Sequence, residues 1–433
     1  MQYYSTNKSA PSVDFKTATI AGQAPDKGLY FPEHIPVFPK KIIENIEGYS
    51  NTDIAFEAIK PFVGNCIPDD VLHNIVKETI NFSIPLMPIN NDIQSLELFH
   101  GPTLAFKDVG ARFMSRCLSF FLKNEQQKVT VLVATSGDTG GAVANGFFNV
   151  PNIDVVILYP SGKVSKVQEQ QLTTLGGNIH ALEIQGNFDD CQQLVKKAFT
   201  DADVTSKLFL TSANSINVAR WLPQQFYYFF GYKQWTDKNN APVIAVPSGN
   251  FGNICAGLIA QASGLPITHF IAACNANNTV PNYMANHTYK PQKAIATISN
   301  AMDVGDPSNF IRIRTLLAHA DKNIHTILSS ESISDNITKA TIKNVFEQFH
   351  YLLDPHTAVG YAALSNYLQQ HPSKKGMVIS TAHPVKFYDV VTPIIGQPIH
   401  LPSIVQSQMN AIKKSTLLPN EYDALKNCLL QLI

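Results

Sequence analysis

Short apolar runs alternate with longer helix-like patterns along most of this chain. Runs of four to six residues that are rich in Val, Ile and Leu are typical of buried strands. Because these runs alternate with helical patterns, we predict a parallel sheet flanked by helices, and therefore an α/β fold. The predicted strands cover residues 96–99, 130–135, 155–159, 180–184, 208–211, 243–246, 269–273 and 377–381.

The pattern changes near residue 95, which predicts a domain boundary. The residues before it are rich in Asn, Ile and Pro and contain one helical stretch at 71–82. Segment 279–306 and the residues after Gly396 have a loop-like composition, and no element is predicted in either. The predicted divisions are an amino-terminal domain (1–95), a catalytic body (96–395) and a carboxy-terminal tail packed on that body (396–433).

Composition excludes several classes of partner. The chain carries 33 basic and 33 acidic side chains, and no basic stripe favours nucleic acid or an anionic membrane. No apolar run has the length of a transmembrane helix, and the amino terminus lacks a signal-peptide pattern. The six cysteines have neither paired nor metal-like spacing, which predicts reduced thiols and no metal site. We therefore expect a cytoplasmic location.

Lys107 is the most informative polar residue, because it stands between Phe106 and the start of an apolar helix. An ammonium is costly to remove from water, so burial here would lower the lysine pKa and favour imine chemistry. Most lysines instead extend their charged end to water, and the position of Lys107 alone does not decide between these interpretations. Three further stretches of sequence favour the interpretation that Lys107 takes part in imine chemistry.

A glycine-containing turn, Pro247-Ser-Gly-Asn-Phe-Gly252, joins one predicted strand to an apolar helix. Gly249 and Gly252 let the backbone approach a ligand, and the free amides that begin the helix at Asn253 can bind an anion. The turn lacks the lysine of a P-loop and the spacing of a dinucleotide fingerprint, so it predicts a site for a single phosphate.

Two other predicted strands end at hydroxyl-bearing residues. One leads into Thr135-Ser-Gly-Asp-Thr-Gly140, a turn suited to a carboxylate, although an ordinary helix cap has the same composition. The other ends at Thr381, where a hydroxyl at the carboxyl end of a strand would face a ligand.

Arginine is scarce, since only five of the 33 basic residues are arginine. A planar fork that binds two oxygens cannot be replaced by an ammonium, so the remaining arginines mark candidate sites. Arg220 is the strongest candidate. For Arg312 and Arg314 we expect ordinary surface positions on a helix.

These stretches, in this order, resemble the threonine synthase family of pyridoxal-phosphate enzymes, in its larger bacterial and fungal branch. The resemblance covers nearly the whole chain. It is carried by Gly28-Leu-Tyr-Phe-Pro32, His100-Gly-Pro-Thr-Leu-Ala-Phe-Lys-Asp108, Thr135-Ser-Gly-Asp-Thr-Gly140, Pro160-Ser-Gly-Lys-Val-Ser165, Asn214-Ser-Ile-Asn-Val-Ala-Arg220, Pro247-Ser-Gly-Asn-Phe-Gly252, Asp303-Val-Gly-Asp-Pro-Ser-Asn309, Asp354-Pro-His-Thr-Ala-Val-Gly360 and Thr381-Ala-His-Pro384.

The resemblance implies the tryptophan synthase β-like fold (PLP fold type II). This fold has two parallel-sheet α/β subdomains, the smaller at about 109–214, and an added amino-terminal domain. The cofactor, pyridoxal 5′-phosphate, is implied to lie between the subdomains as a Schiff base with Lys107, and Thr381 to bind its pyridine nitrogen. The residues implied to hold its phosphate are Ser248, Gly249, Asn250, Phe251 and Gly252.

The implied substrate is O-phospho-L-homoserine. Its α-carboxylate is implied to bind at the turn of Thr135, Ser136 and Gly137. Its phosphate is implied to bind in the pocket of Asn214, Ser215 and Arg220. The role of Asp138 stays open, because many related enzymes have an asparagine where it stands. The role of Lys163 also stays open, because its motif does not show whether it contacts a ligand.

The implied reaction is a β,γ-replacement that gives L-threonine and phosphate, the last step of threonine biosynthesis. A phospholyase without the water-addition step would instead release 2-oxobutyrate, whereas a threonine dehydratase would need no second phosphate pocket. A non-catalytic homologue that binds pyridoxal phosphate would keep the fold without turnover. We expect no nucleic-acid or membrane partner, and the chain could act as a monomer or a homodimer.

Overall fold

The computed structural model describes residues 1–123, 128–319 and 324–432. The elements of its amino-terminal part are β1 (Gln2–Ser5), β2 (Val13–Asp14), α1 (Phe15–Ala21), β3 (Tyr30–Pro32), α2 (Lys40–Glu44), α3 (Asn51–Val63) and α4 (Asp69–Thr79). The three strands form an antiparallel sheet in the order β2-β1-β3. Helix α4 is the helix predicted at 71–82.

Side-chain caps determine where two of these helices begin. The Asp14 carboxylate accepts the N–H of Thr17 at 2.8 Å ahead of α1, and the Ser50 hydroxyl accepts the N–H of Asp53 at 3.1 Å ahead of α3. Each cap satisfies a first-turn amide that has no partner inside its helix.

The rest of the described chain alternates strands and helices. Its first part forms β4 (Leu86–Pro88), β5 (Ile93–Glu97), α5 (Lys107–Phe121), β6 (Val129–Ala134), α6 (Asp138–Phe147), β7 (Ile153–Pro160), α7 (Lys166–Thr173), β8 (Ile179–Gln185), α8 (Phe188–Thr200), α9 (Ala202–Thr205), β9 (Phe209–Thr211), α10 (Val218–Trp221) and α11 (Phe226–Gln234). Its second part forms β10 (Val243–Pro247), α12 (Gly252–Ala262), β11 (His269–Cys274), α13 (Thr279–Asn286), α14 (Phe310–His319), α15 (Ile324–Ile327), β12 (Leu328–Ser332), α16 (Asp335–Phe349), α17 (Pro355–Gln370), β13 (Gly376–Ser380), α18 (Tyr388–Ile395), α19 (Ser403–Met409), β14 (Ser415–Pro419) and α20 (Tyr422–Leu430).

Six strands form the larger sheet in the order β12-β11-β10-β13-β5-β4. Neighbouring strands are parallel except for β4 and β5. Strand β13 lies between β10 and β5, so strands distant in sequence become neighbours. Because the carboxyl ends of parallel strands lie at one edge, the loops that follow Pro247 and Ser380 meet there.

Five strands form a smaller, fully parallel sheet in the order β14-β8-β7-β6-β9. Strand β14 comes from the carboxy-terminal tail, and its Ser415 pairs with Ala181 of β8. Leu425 and Leu429 of α20 are fully buried in the apolar cluster on this sheet. The tail is thus built into the smaller sheet and its helical layer.

The eight predicted strands are all present, with shifted ends. The largest shift is in β5, which covers Ile93–Glu97 where residues 96–99 were expected. The edge strands β12 and β14 were missed because their half-exposed, polar positions do not form an apolar run. Segment 279–306, where no element was predicted, begins with α13, and the tail contains two helices and a strand.

Helix α11 belongs to the core that the larger sheet shares with the amino-terminal part. It is buried from Phe226 to Tyr232 and packs against α3. Within the described ranges, no helix is both long and apolar enough to cross a membrane.

Candidate active site

A cavity of about 1040 Å³ lies where β6, β10 and β13 end. It is lined by the loops that follow these strands, by the start of α5 and by part of the amino-terminal region. Of the residues predicted from the sequence, Gly137 alone does not line it. Those that do are Lys107, Thr135, Ser136, Asn214, Ser215, Arg220, Ser248, Gly249, Asn250, Phe251, Gly252 and Thr381.

Lys107 is the first residue of α5 and lines this cavity. Its Nζ lies 3.8 Å from Oδ2 of Asp138 and 5.0 Å from the centre of the Phe106 ring. Burial lowers the pKa of Lys107; Asp138 opposes this shift, whereas Lys386 and Arg220 add to it. A larger fraction of the amine is therefore neutral at a given pH than for a lysine in water.

Two neighbours that the sequence patterns did not identify hold Asp138. Nζ of Lys386 lies 2.7 Å from its Oδ1, and Nε2 of Gln168 donates to the same oxygen at 2.8 Å. Lys386 is fully buried and also donates to the carbonyl of Thr103 at 2.8 Å. Although burial acts to raise the pKa of Asp138, Lys386 and Lys107 together hold it below its ordinary value. Asp138 is therefore a carboxylate at neutral pH.

The turn between β10 and α12 has a tightly constrained backbone. Phe251 has a left-handed conformation, with φ of 61°, directly before α12 begins. A Cβ added at Gly249 would lie 2.7 Å from Cα of Met302, so the neighbouring loop leaves no room for a side chain there. The first-turn N–H groups of α12 have no acceptors within the helix, and at this cavity they can bind an anion.

Asn250 connects this turn to the loop that contains Ser215. Its Nδ2 donates to the Ser215 hydroxyl at 2.6 Å, and its Oδ1 accepts the N–H of Ser308 at 2.6 Å. Nδ2 of Asn309 donates to the carbonyl of Asn250 at 3.0 Å and to the Ser215 hydroxyl at 3.3 Å. The two loops predicted to bind anions therefore form one hydrogen-bonded unit.

Arg220 lies in α10, directly after the second of these loops, and is 2% exposed. One Nη1 hydrogen bond goes to the carbonyl of Ala213. Among the described residues, neither Nε of Arg220 nor the buried Oδ1 of Asn214 has a hydrogen-bond partner. Burial lowers the pKa of Arg220 to about 10, with Asp108 opposing the shift, so the guanidinium stays charged at neutral pH. A charged fork with an unused donor is suited to a phosphate.

The hydroxyl of Thr135 is committed to the turn that it begins. It accepts the N–H groups of Gly137 at 3.0 Å and of Gly140 at 2.8 Å. Ser136 lies next to it and also lines the cavity. We therefore expect Ser136 to offer the freer hydroxyl of this turn to a ligand.

Thr381 follows β13 and lines the same cavity. Its carbonyl accepts the N–H of Phe106 at 2.9 Å, which fixes the end of β13 beside the turn that carries Lys107. Its hydroxyl is thus placed at the carboxyl edge of the sheet, as the sequence predicted.

The sequence patterns gave no side-chain role to four other cavity residues: Asn253, Asn300, Asp303 and His356. Within the described chain, Nδ2 of Asn253 and Oδ1 of Asn300 are buried without a hydrogen-bond partner. Nδ1 of His356 lies 2.8 Å from Asp354, and its Nε2 accepts the N–H of Ala301 at 3.2 Å. Two of the four belong to motifs quoted above, so the sequence contained a signal for them, whereas the two asparagines show none.

The expectation that Arg312 is an ordinary surface residue is wrong. It is fully buried, and its Nε and Nη2 donate to the carbonyl of Tyr30 at 3.1 and 2.9 Å. Nη2 also donates to the carbonyl of Ile216 at 2.6 Å, and Nη1 to Oδ1 of Asn309 at 2.5 Å. A helical pattern does not show that the amino-terminal part covers this side of α14. Arg314 is exposed, as expected, at the cavity.

Comparison with known proteins assigns the family. The sequence profile of pyridoxal-phosphate dependent enzymes matches residues 95–382, that of the threonine synthase N terminus matches 2–80, and that of the threonine synthase C-terminal region matches 357–429. The threonine synthase of Buchnera aphidicola subsp. Schizaphis graminum is 42% identical over 433 residues, which is 100% of each chain. The chain belongs to the threonine synthase family.

Solved threonine synthase structures share the fold of this chain. The crystal structure from Escherichia coli has a TM-score of 0.94 at 39% identity and covers 100% of both chains. The threonine synthase of Brucella melitensis, solved with bound PLP, has a TM-score of 0.91 at 35% identity and covers 100% of this chain and 99% of that one. The predicted threonine synthase family and fold class, PLP fold type II with an added amino-terminal region, are therefore confirmed.

The cavity of this threonine synthase family member fits pyridoxal phosphate. Lys107 offers a buried amine with a lowered pKa to an aldehyde. The turn at Gly249 leaves room for no side chain and leads into a helix start, which suits a phosphate. Asn253 adds a buried donor that lacks a partner among the described residues.

Proposed function

We propose that this chain converts O-phospho-L-homoserine and water into L-threonine and phosphate, with pyridoxal phosphate as cofactor. One observation carries the proposal. Two loops suited to anions, one containing Gly249 and one containing Arg220, line the cavity that also contains Lys107. The bond from Asn250 to Ser215, at 2.6 Å, joins the two loops. A cofactor and a substrate that each carry a phosphate require such a pair of sites.

The residues that would hold the cofactor are Lys107, the turn from Ser248 to Gly252, and Thr381. Bound pyridoxal phosphate supplies an electron sink for the carbon atoms next to an attached amino group. A hydroxyl at Thr381 would bind the pyridine nitrogen without adding the negative charge of a carboxylate. The sink is then milder than one that faces an aspartate.

In this proposal Lys107 moves protons at Cα and Cβ of the substrate. A proton carrier must be neutral when it removes a proton, and burial lowers the pKa of this amine toward that condition. Asp138, at 3.8 Å, can form an ion pair with the amine after it has gained the proton. Lys107 and its surroundings therefore stabilise the amine both before and after it gains the proton.

The loop of Asn214, Ser215 and Arg220 would bind the substrate phosphate. As the C–O bond at Cγ breaks, negative charge grows on the leaving oxygens. A buried guanidinium stabilises that charge more strongly than an exposed one, because little water screens it. Ser136 and the amides of its turn would orient the α-carboxylate.

Product analysis tests the proposal against its rivals. Purified protein with pyridoxal phosphate and O-phospho-L-homoserine should release threonine and phosphate in equal amounts. Phosphate accompanied by 2-oxobutyrate would identify a phospholyase. A protein that binds the cofactor but releases no phosphate would be a non-catalytic homologue or an enzyme for another substrate, such as a threonine dehydratase.

The matched control is Lys107→Ala. We expect it to abolish turnover and covalent cofactor attachment, since no other amine takes the same place at the start of α5. Its phosphate loop is unchanged, so it should still bind the cofactor reversibly. Full activity in Lys107→Ala would contradict the proposed role of this lysine.

We also propose that the enzyme acts in the cytoplasm as a monomer or a homodimer. The six cysteines, which the described structure contains as free thiols, support a reducing compartment. Light scattering of the purified protein over a range of concentrations would distinguish the two assembly states.

A further inference from the structure

We propose that Lys386 is a positioning residue: it takes up the charge of Asp138 and so leaves Lys107 as an uncharged amine that can react. The proposal rests on the proposed function only in taking Lys107 as the reacting group. It concerns a fully buried lysine, Lys386, and a partly buried one, Lys107, that share one carboxylate.

The geometry assigns the carboxylate to Lys386. Nζ of Lys386 lies 2.7 Å from Oδ1 of Asp138, whereas Nζ of Lys107 lies 3.8 Å from Oδ2. Lys386 is 0% exposed and has a second fixed acceptor, the carbonyl of Thr103 at 2.8 Å. The Lys107 side chain is 17% exposed. Asp138 therefore contacts Lys386 directly and lies farther from Lys107.

The charges around Lys107 do not balance. The cations are Lys107 itself, Lys386 from the turn at Pro384–Phe387, and Arg220 from α10. The anions are Asp138 of α6 and Asp108 of α5.

Asp108 offsets the charge of Arg220, because it opposes the lowering of the Arg220 pKa, and so leaves the excess positive charge at the two lysines. Its oxygens are engaged by the N–H and hydroxyl of Thr103 at 2.9 and 2.5 Å, and burial raises its pKa. The side chain that α7 contributes to Asp138 is Gln168, which is neutral. An excess buried cation is costly, and it is relieved when one group loses its proton. Arginine does not lose its proton, and Lys386 has the closer carboxylate, so Lys107 is the group that becomes neutral.

A neutral amine is what the covalent step requires. The lone pair of the Lys107 nitrogen forms a bond to the aldehyde carbon of pyridoxal phosphate. The two N–H hydrogens and the carbonyl oxygen leave as water, and a C=N bond replaces the C=O bond. An ammonium has no lone pair and cannot begin this step.

Competitive acylation of the full-length chain, freed of cofactor, tests the proposal. Trace acetic anhydride is added at a series of pH values, and mass spectrometry measures the acetylated fraction of Lys107. We expect Lys386→Met to raise the midpoint of Lys107 labelling by about one pH unit, because Asp138 then has Lys107 as its adjacent cation. Labelling at about pH 8 should fall about tenfold.

A second variant tests the opposite direction. Asp138→Asn removes the carboxylate and keeps Lys386, so the midpoint for Lys107 should fall below that of the original chain. The midpoint of Lys107 labelling in the double variant should lie between those of the two single variants. Lys233→Met is the matched control, since Lys233 donates to the carbonyl of Tyr49 at 2.7 Å and does not line the cavity.

Thermal unfolding establishes that each variant is folded before it is labelled. An unchanged or lower midpoint in folded Lys386→Met would overturn the proposal, as would a higher midpoint in Asp138→Asn. If Lys386→Met does not fold, Asp138→Asn decides alone. The assay needs no turnover, so expected midpoints together with absent threonine would overturn the proposed function and leave this inference standing.

Discussion

Two buried arginines bring positive charge to the loops of the cavity without a carboxylate at contact distance. Arg220 donates to the carbonyl of Ala213, and Arg312 donates to those of Tyr30 and Ile216. Within the described residues, neither guanidinium forms an ion pair. The carbonyl oxygens orient the two guanidinium groups without neutralising their charge, which favours a dianionic ligand nearby.

The first prediction concerns the fork of Arg220. Arg220→Lys should raise KM for O-phospho-L-homoserine by about tenfold or slow the step that expels phosphate, because a point charge cannot replace two aligned donors. The absorption spectrum of bound pyridoxal phosphate should not change. Steady-state kinetics and absorbance measure the two effects, and Arg116→Lys, in a surface ion pair with Glu78, is the control. A shifted cofactor spectrum would instead place Arg220 beside the cofactor.

The second prediction compares two glycines of one turn. A Cβ at Gly249 would meet backbone atoms of Met302 at 2.7 Å, whereas one at Gly252 would meet nothing closer than Nδ2 of Asn309 at 3.4 Å. Gly249→Ala should therefore destabilise the cofactor-free protein by roughly 1–3 kcal/mol. Gly252→Ala should leave its stability nearly unchanged but weaken cofactor binding, because Gly252 lines the cavity at the start of α12, where the phosphate is expected to bind. Urea unfolding and cofactor titration separate these effects. Equal unfolding midpoints for both variants would refute the comparison.

At the scale of elements, α14 connects parts of the chain that are far apart in sequence. Arg312, near its start, joins Tyr30 of β3 to Ile216 in the loop before α10. Asn309 extends this connection to the carbonyl of Asn250 in the phosphate turn. Arg312 and Asn309 therefore connect the amino-terminal part to both anion-binding loops.

The third prediction follows from this connection. Arg312→Lys should lower the free energy of unfolding by roughly 2–3 kcal/mol, because one ammonium cannot replace the several hydrogen bonds of the buried fork. It should also weaken binding of both the cofactor and the substrate, since both loops lose the same support. Arg116→Lys, in a surface ion pair with Glu78 and away from the cavity, is the control. Urea unfolding and binding titrations measure the outcome. If Arg312→Lys bound either the cofactor or the substrate with normal affinity, Arg312 would support only the loop that binds the other ligand.

Strands that form apolar runs were predictable, and the exposed edge strand β12 was not. Val243 to Val246 form an apolar run because β10 has neighbours on both sides and helices on both faces. Leu328 begins a strand whose other residues are serine and glutamate, since β12 lies at an edge where polar groups remain half exposed. Periodicity records burial, so it identifies most readily the strands that carry a run of apolar residues.

The site was predictable only in part, for a related reason. Lys107, Gly249 and Arg220 stand in local patterns with a chemical meaning of their own. Lys386 has no such pattern, because its role depends on Asp138, which lies 248 positions earlier in the chain and meets it only in the fold. Pairings of this kind are set by sheet order, which a single sequence does not specify.

At the scale of the whole molecule, the carboxy-terminal tail completes the smaller sheet. The fourth prediction is that Leu429→Ala lowers the free energy of unfolding by roughly 2–5 kcal/mol, because Leu429 is fully buried in the cluster on that sheet. Leu417→Ala is the control: this leucine of β14 is 55% exposed, and its loss should cost less than about 0.5 kcal/mol. Urea unfolding compares them. Similar losses of stability in both variants would mean that the tail stabilises the smaller sheet through the pairing of β14 and not through the buried side chains of α20.

Strand β13 also limits when the active site can form during synthesis on the ribosome. It lies in the middle of the larger sheet, yet its residues, Gly376–Ser380, are translated after those of every other strand of that sheet. Until they leave the exit tunnel, β10 and β5 have no common neighbour, and the loops after them cannot meet. A nascent chain that has not yet released β13 therefore lacks the assembled site that binds the cofactor.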